Sequence, residues 1–223
     1  MKKNFVVCVE EKRLVSSLFK AFEYEKIGDL IFNNEINVNV IDGVGNDIVT
    51  RLLKAKQYDL VLEVMKKRNW DVNHQNEEGN TFGHILAQDD SAMAVKVMEQ
   101  LTKKKNYLPN IKNNKGQTAM DIALSNHYLC TAFKILEDKR FDNIDIFSFK
   151  NLLNVTINSK FYGKYSKITN LNIIVSNLEK KNLDMKVREL VDNIRKNMEA
   201  IKRDIMNNQL LLLDSIISAP LIA

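Results

Sequence analysis

Apolar residues along this chain recur at steps of three and four, and short polar breaks divide the runs. Leu18, Phe19, Phe22, Ile27, Leu30 and Ile31 form the first set. Ile48, Val49, Leu52 and Leu53 precede Leu60, Val61, Val64 and Met65, with Lys54-Ala55-Lys56-Gln57 between. His84, Ile85, Leu86 and Ala87 precede Ala94, Val95, Val97, Met98 and Leu101, with Gln88-Asp89-Asp90-Ser91 between. Met120, Ile122, Ala123 and Leu124 precede Ala132, Phe133, Ile135 and Leu136. Such steps put side chains on one face of an α-helix. Each set therefore predicts two short antiparallel helices followed by a polar turn.

The turns repeat. Val38-Asn39-Val40-Ile41-Asp42 returns as Val72-Asn73-His74-Gln75-Asn76 and again as Pro109-Asn110-Ile111-Lys112-Asn113. The asparagines Asn39, Asn73 and Asn110 are 34 and then 37 residues apart. Three residues beyond each segment stands a glycine, Gly45, Gly79 and Gly116, with the same spacings. A period of this length is the mark of a stacked-repeat architecture.

Glu78-Gly79-Asn80-Thr81-Phe82-Gly83-His84-Ile85-Leu86-Ala87 and Lys115-Gly116-Gln117-Thr118-Ala119-Met120-Asp121-Ile122-Ala123 carry a resemblance to the ankyrin repeat. That motif is a glycine turn, then Thr-Pro-Leu-His-x-Ala-Ala, a gap, an Ile-Val-x-Leu-Leu helix and a Val-Asn-x-x-Asp exit. Gly79 and Gly116 can take the positive φ the turn needs. Thr81 and Thr118 can cap the helices that follow. His84 stands at the family's histidine position, where the ring knits adjacent loops. The chain departs from the pattern too. No unit has the Thr-Pro proline, the second reads Asn46-Asp47-Ile48-Val49-Thr50, and the first lacks the glycine turn. The resemblance implies about four divergent repeats over residues 14–145. Phe141-Asp142-Asn143-Ile144-Asp145 echoes a further exit.

From about Asn182 the pattern changes to a single seam. Val187, Val191, Ile194, Met198, Ile201, Ile205 and Leu212 fall at heptad-like steps. This predicts one helix of about 30 residues, roughly 45 Å long. An apolar stripe must be covered, by the repeats, by a second copy, or by another protein. The apolar Leu210-Leu211-Leu212-Leu213 end favours assembly. Between, residues 151–170 are expected to form a helix and a loose turn containing Tyr162. The expected architecture is all-α: an ankyrin-like domain over 1–145 and a helical extension, a long helix or coiled-coil-like arm, over 146–223.

Composition agrees with helices. The 223 residues hold only 7 glycines and 2 prolines, which argues against a many-stranded barrel or sandwich. The net charge is +5, and +4 of it lies in residues 151–223. That is too mild for a dedicated nucleic-acid binder. No stretch has the ~20 apolar residues of a membrane span. Cys8 and Cys130 are far apart, expected as buried small hydrophobes in a reducing compartment, and a cytoplasmic or nuclear location follows.

No enzyme signature, cofactor motif or metal-ligand spacing is present. His74 is expected in an exposed turn and His127 in an inter-helix loop. Trp70 is expected to pack between repeats. The basic clusters are Lys66-Lys67-Arg68, Lys103-Lys104-Lys105, Lys139-Arg140 and Lys202-Arg203, and the first two, at equivalent helix ends, are expected to complement the negative end of the helix dipole. The chain is therefore expected to be a non-enzymatic adaptor or scaffold subunit. The resemblance implies partner contacts at the turn tips (Gln75, Asn76, Glu77, Glu78, Asn80, Asn113, Asn114, Lys115 and Gln117) and on the inner face (Gln88, Asp89, Ser125 and Asn126). The seam would serve homo-oligomer or complex assembly. The alternative is a regulatory subunit contacting nucleic acid or an acidic partner through the basic helix ends and tail.

Overall fold

The computed structural model describes residues 9–67, 69–142, 144–159, 163–181, 183–207 and 209–219. Cys8, Arg68, Asn143, Tyr162, Asn182 and residues 220–223 lie outside them. Among the described residues there are thirteen helices and a single isolated antiparallel bridge, Ile41 to Asp47. The chain is all-α.

The helices are α1 (Val9–Lys20), α2 (Tyr24–Phe32), α3 (Ile48–Lys54), α4 (Tyr58–Val64), α5 (Phe82–Leu86), α6 (Ala92–Thr102), α7 (Ala119–Ser125), α8 (Leu129–Glu137), α9 (Ile146–Asn158), α10 (Lys164–Leu178), α11 (Met185–Lys196), α12 (Met198–Met206) and α13 (Leu211–Ser218). Short connections fold α3 on α4, α5 on α6 and α7 on α8. The α1–α2, α3–α4 and α7–α8 connections each turn through a residue in the left-handed region: Phe22, Lys56 and His127, at φ 59°, 58° and 60°. The next N–H then reaches back to close the helix end, as Gln57 does to Leu52 O and Tyr128 to Ala123 O, at 3.0 and 2.8 Å. This geometry turns Phe22, expected on the first apolar face, outward to 74% exposure.

The pairs stack in two layers. α3, α5, α7 and α9 lie side by side in one, and α2, α4, α6, α8 and α10 in the other. The packing order crosses Asp145 without a change of pattern. Asp145 caps α9 through Ser148 N, as Asp47 caps α3 through Thr50 N. One continuous core runs from Val15 to Ile216. The helix expected from residue 151 is the end of α9; residues 160–162 of the loose turn lie outside the described residues, and 164–170 are helical, in the first half of α10.

The tail is not one long helix. Asn197, at φ −100° and ψ 9°, separates α11 from α12, and its amide donates to Asn193 O at 2.9 Å. Side-chain bonding of this kind competes with helix continuation. A second stop follows at Asn207, where Asp204 accepts from Leu212 N at 3.1 Å and starts α13 on its return. α13 packs on α11 and α12, and these pack on α9 and α10. Val187, Val191, Ile194, Ile201 and Ile205 are buried by this chain's own helices, and Met198 and Leu212 are half-buried. The stripe therefore needs no second copy to cover it. Leu213 and Ile216, both buried, contribute about 1.5–3 kcal/mol each as an upper estimate.

Candidate interaction surface

The three glycine turns are built alike. Asp42, Asn76 and Asn113 each accept two backbone N–H groups on one side-chain oxygen, from residues two and four further on, at 2.9 to 3.1 Å. The glycine one residue short of the second donor sits at φ 77°, 73° and 74° in the three units. At Gly79 a Cβ would lie 2.7 Å from Asn114 N, so close stacking of the tips excludes any larger residue. Adjacent tips are tied by Glu77 N to Val44 O and Asn114 N to Glu78 O, at 3.3 and 3.0 Å. Asn113 Nδ2 donates to Asn80 Oδ1 at 2.9 Å, and Asn76 Nδ2 to Asn46 Oδ1 at 3.0 Å.

The histidines belong to this lattice. His84 Nδ1 accepts from Thr81 N at 3.1 Å, so its Nε2 carries the proton and donates to Gln117 O at 2.9 Å. Burial pushes its pKa below the ordinary value. His74 is half-buried rather than exposed, with Nε2 2.7 Å from Gly45 O. At the second unit's cap Asp47 stands where α5 and α7 have threonine. Burial raises its carboxyl pKa against bonds from Thr50 and Trp70. The Trp70 indole donates to Asp47 Oδ2 at 2.8 Å and meets Phe82 edge-on at 5.1 Å, joining two successive pairs.

A groove of about 440 Å³ opens between the second and third tips and the ends of α5 and α7. Glu78, Asn80, Gln88, Asn113, Lys115, Gln117, Ser125 and Asn126 line it, with Ile122, which sequence reasoning missed because it belongs to an apolar stripe. Not all of these side chains are available. Asn80 binds Glu78, Ser125 binds Asp121 O and Asn126 binds Ile122 O. Gln88, Lys115 and Gln117 make no side-chain hydrogen bond among the described residues.

The remaining expected contacts serve the fold. Gln75 Nε2 bridges Gly79 O and Lys112 O at 2.7 and 3.2 Å, and Asn114 Nδ2 donates to Glu77 O at 2.9 Å. Asn76 holds its own turn, and Glu77 is exposed at the tip. Asp89 lies outside the groove. Burial raises its pKa, but bonds from Tyr58 and Ser91 outweigh this and leave it below the ordinary value.

The asparagines of the long period form a second ladder. Asn39 Nδ2 donates to Asn69 O at 2.7 Å and its Oδ1 accepts Asp71 N at 2.9 Å. Asn73 does the same with Asn106 O and Leu108 N, at 2.6 and 2.9 Å. Asn110 donates to Arg140 O and Asp142 Oδ1, both at 2.8 Å, but its buried Oδ1 has no partner among the described residues.

The basic helix ends act on the preceding pair rather than on their own helix. Lys67 donates to Phe32 O at 3.2 Å, and Lys104 to Met65 O. Arg140 donates to Thr102 O and Lys105 O at 2.6 and 3.1 Å, and Lys181 to Asp138 O at 2.7 Å. Each cation meets orphan carbonyls at a helix C-terminus. Cys130, expected to be buried, is exposed on α8.

Among the described residues no group of three or more His, Cys, Asp or Glu could hold a metal ion. None of the described helices is long and apolar enough to cross a membrane. No protein-family model matches the chain, and no curated protein does.

Proposed function

We propose that the chain is an ankyrin-type solenoid that binds a protein partner without catalysis, as an adaptor or scaffold subunit. Three positive-φ glycine turns at the repeat spacing and two parallel layers of helix pairs support the repeat reading. The observation that carries the binding reading is the groove between the second and third tips. Its walls come from two separate segments, and its unengaged polar side chains, Gln88, Lys115 and Gln117, converge there. Two carboxamides can each donate and accept, which suits a polypeptide main chain. The rest of the tip lattice is bonded to itself, so the surface is preformed and loses little entropy on binding.

The test places a photo-crosslinking residue at Gln117 in cells and identifies the covalent partner. The partner is then purified, and its affinity is measured for wild type and for Q88A/K115A/Q117A. A loss of about tenfold or more, with an unchanged melting temperature, is expected. An unchanged affinity for the triple variant refutes the groove.

A further inference from the structure

The outer helix layer carries a second surface, away from the turn tips. Two grooves of about 490 and 530 Å³ adjoin at Lys103, along the ends of α4, α6 and α8. Seven cations border them against three carboxylates. Two of the cations, Lys104 and Arg140, are engaged with helix-end carbonyls. Lys66 and Lys103 are in exposed pairs with Glu63 and Glu99, both at 2.6 Å. Exposed pairs of this kind contribute little and exchange readily for a new carboxylate. Lys96, Lys105 and Lys139 are exposed, and their ammonium groups form no hydrogen bond or ion pair with the described residues.

The floor of the first groove is apolar. Half-buried Leu62 and buried Met65 form it, together with lysine stems. A cationic rim over an apolar floor is complementary to carboxylates flanking an apolar stripe. An amphipathic helix presents that arrangement. A nucleic-acid strand fits less well. Its continuous phosphates would meet Glu63 and Glu137, which stand among the cations. Among the described residues no aromatic side chain lines either groove to stack on a base.

We propose that this trough docks an acidic amphipathic helix of a partner protein. The apolar face rests on Leu62 and the lysine stems, and the carboxylates reach Lys96, Lys105 and Lys139. The site is independent of the turn-tip groove.

Fluorescence polarisation on the full chain tests it. The probe is a labelled peptide of about 16 residues with leucines at i, i+3, i+4 and i+7 and glutamates beside them. The comparators are the same residues shuffled and an oligodeoxythymidine of similar length. The amphipathic peptide is expected to bind at least about tenfold more tightly than either comparator. K96E/K105E is expected to weaken it by a similar factor at an unchanged melting temperature. Should that variant fold poorly, K96Q/K105Q must weaken binding in the same direction. Q88A/Q117A is expected to bind as wild type does. Absent binding, equal binding of a comparator, or indifference to the lysine variants overturns the proposal. Loss in Q88A/Q117A moves the peptide to the turn-tip groove and overturns it as well.

Discussion

Replacing Asn113 with alanine tests whether the turn-tip lattice holds the groove in shape. Asn113 is only 8% exposed. Its Oδ1 accepts from Lys115 N and Gln117 N, both at 3.0 Å, and its Nδ2 donates to Asn80 at 2.9 Å. Alanine removes all three bonds and leaves partners that water reaches poorly. At about 1 kcal/mol for each neutral bond, the loss is about 2–4 kcal/mol. Asn113→Asp supplies an internal control. It keeps both acceptor bonds, as Asp42 does in the second unit at 3.1 and 2.9 Å. It loses only the donor to Asn80, about 1–2 kcal/mol. Urea unfolding, followed by circular dichroism and by Trp70 fluorescence together, reads both values. Coincident transitions are required before either is quoted as a free energy. An alanine variant that loses less than about 0.5 kcal/mol refutes the reasoning. So does an aspartate variant as unstable as the alanine one.

Stability is expected to fall as pH drops below about 6.5 because the folded pKa of His84 is lowered by burial. The unfolded chain takes up the proton first, so the loss levels off once the folded imidazole also titrates. Melting temperatures across this range should show a slope that His84→Gln removes. Trp70→Phe should cost about 1.5–3 kcal/mol in a chemical melt, because the buried Asp47 carboxyl loses its indole donor. Arg140→Lys should cost about 1–3 kcal/mol, since an ammonium cannot span Thr102 O, Lys105 O and Asp138 at once. Ending the chain after Gln209 uncovers the apolar face of α11 and α12. Light scattering should find the full chain monomeric and the shortened one associating.

The helix pairs and their turns were legible because each depends on local pattern. The 34- and 37-residue spacings of Asn39, Asn73 and Asn110 mark the ladder positions. Three things were hidden. The break at Asn197 was, because the heptad steps pass through it unaltered and only the asparagine bonding disrupts the helix. The partners of the basic helix ends were hidden too, because Lys104 bonds a carbonyl 39 residues away. Residues 164–170 bury no side chain fully, so the first half of α10 read as turn. At the groove, residue types at turn and helix-end positions pointed to most of the lining. Which of them were free did not follow from sequence, since Gln75 and Gln88 differ only in what the fold places beside them.

Lys67, Lys104, Arg140 and Lys181 each bond backwards, to the pair before. Among the described residues, the ends of α2, α4, α6 and α8 each take their closing cation from the pair that follows. On the ribosome this imposes a delay. A pair that has emerged still exposes carbonyls until the tip of the next one is synthesised. N-terminal units are released first, yet each waits one unit for its closing charge. Completion therefore travels along the nascent chain one pair behind its growth.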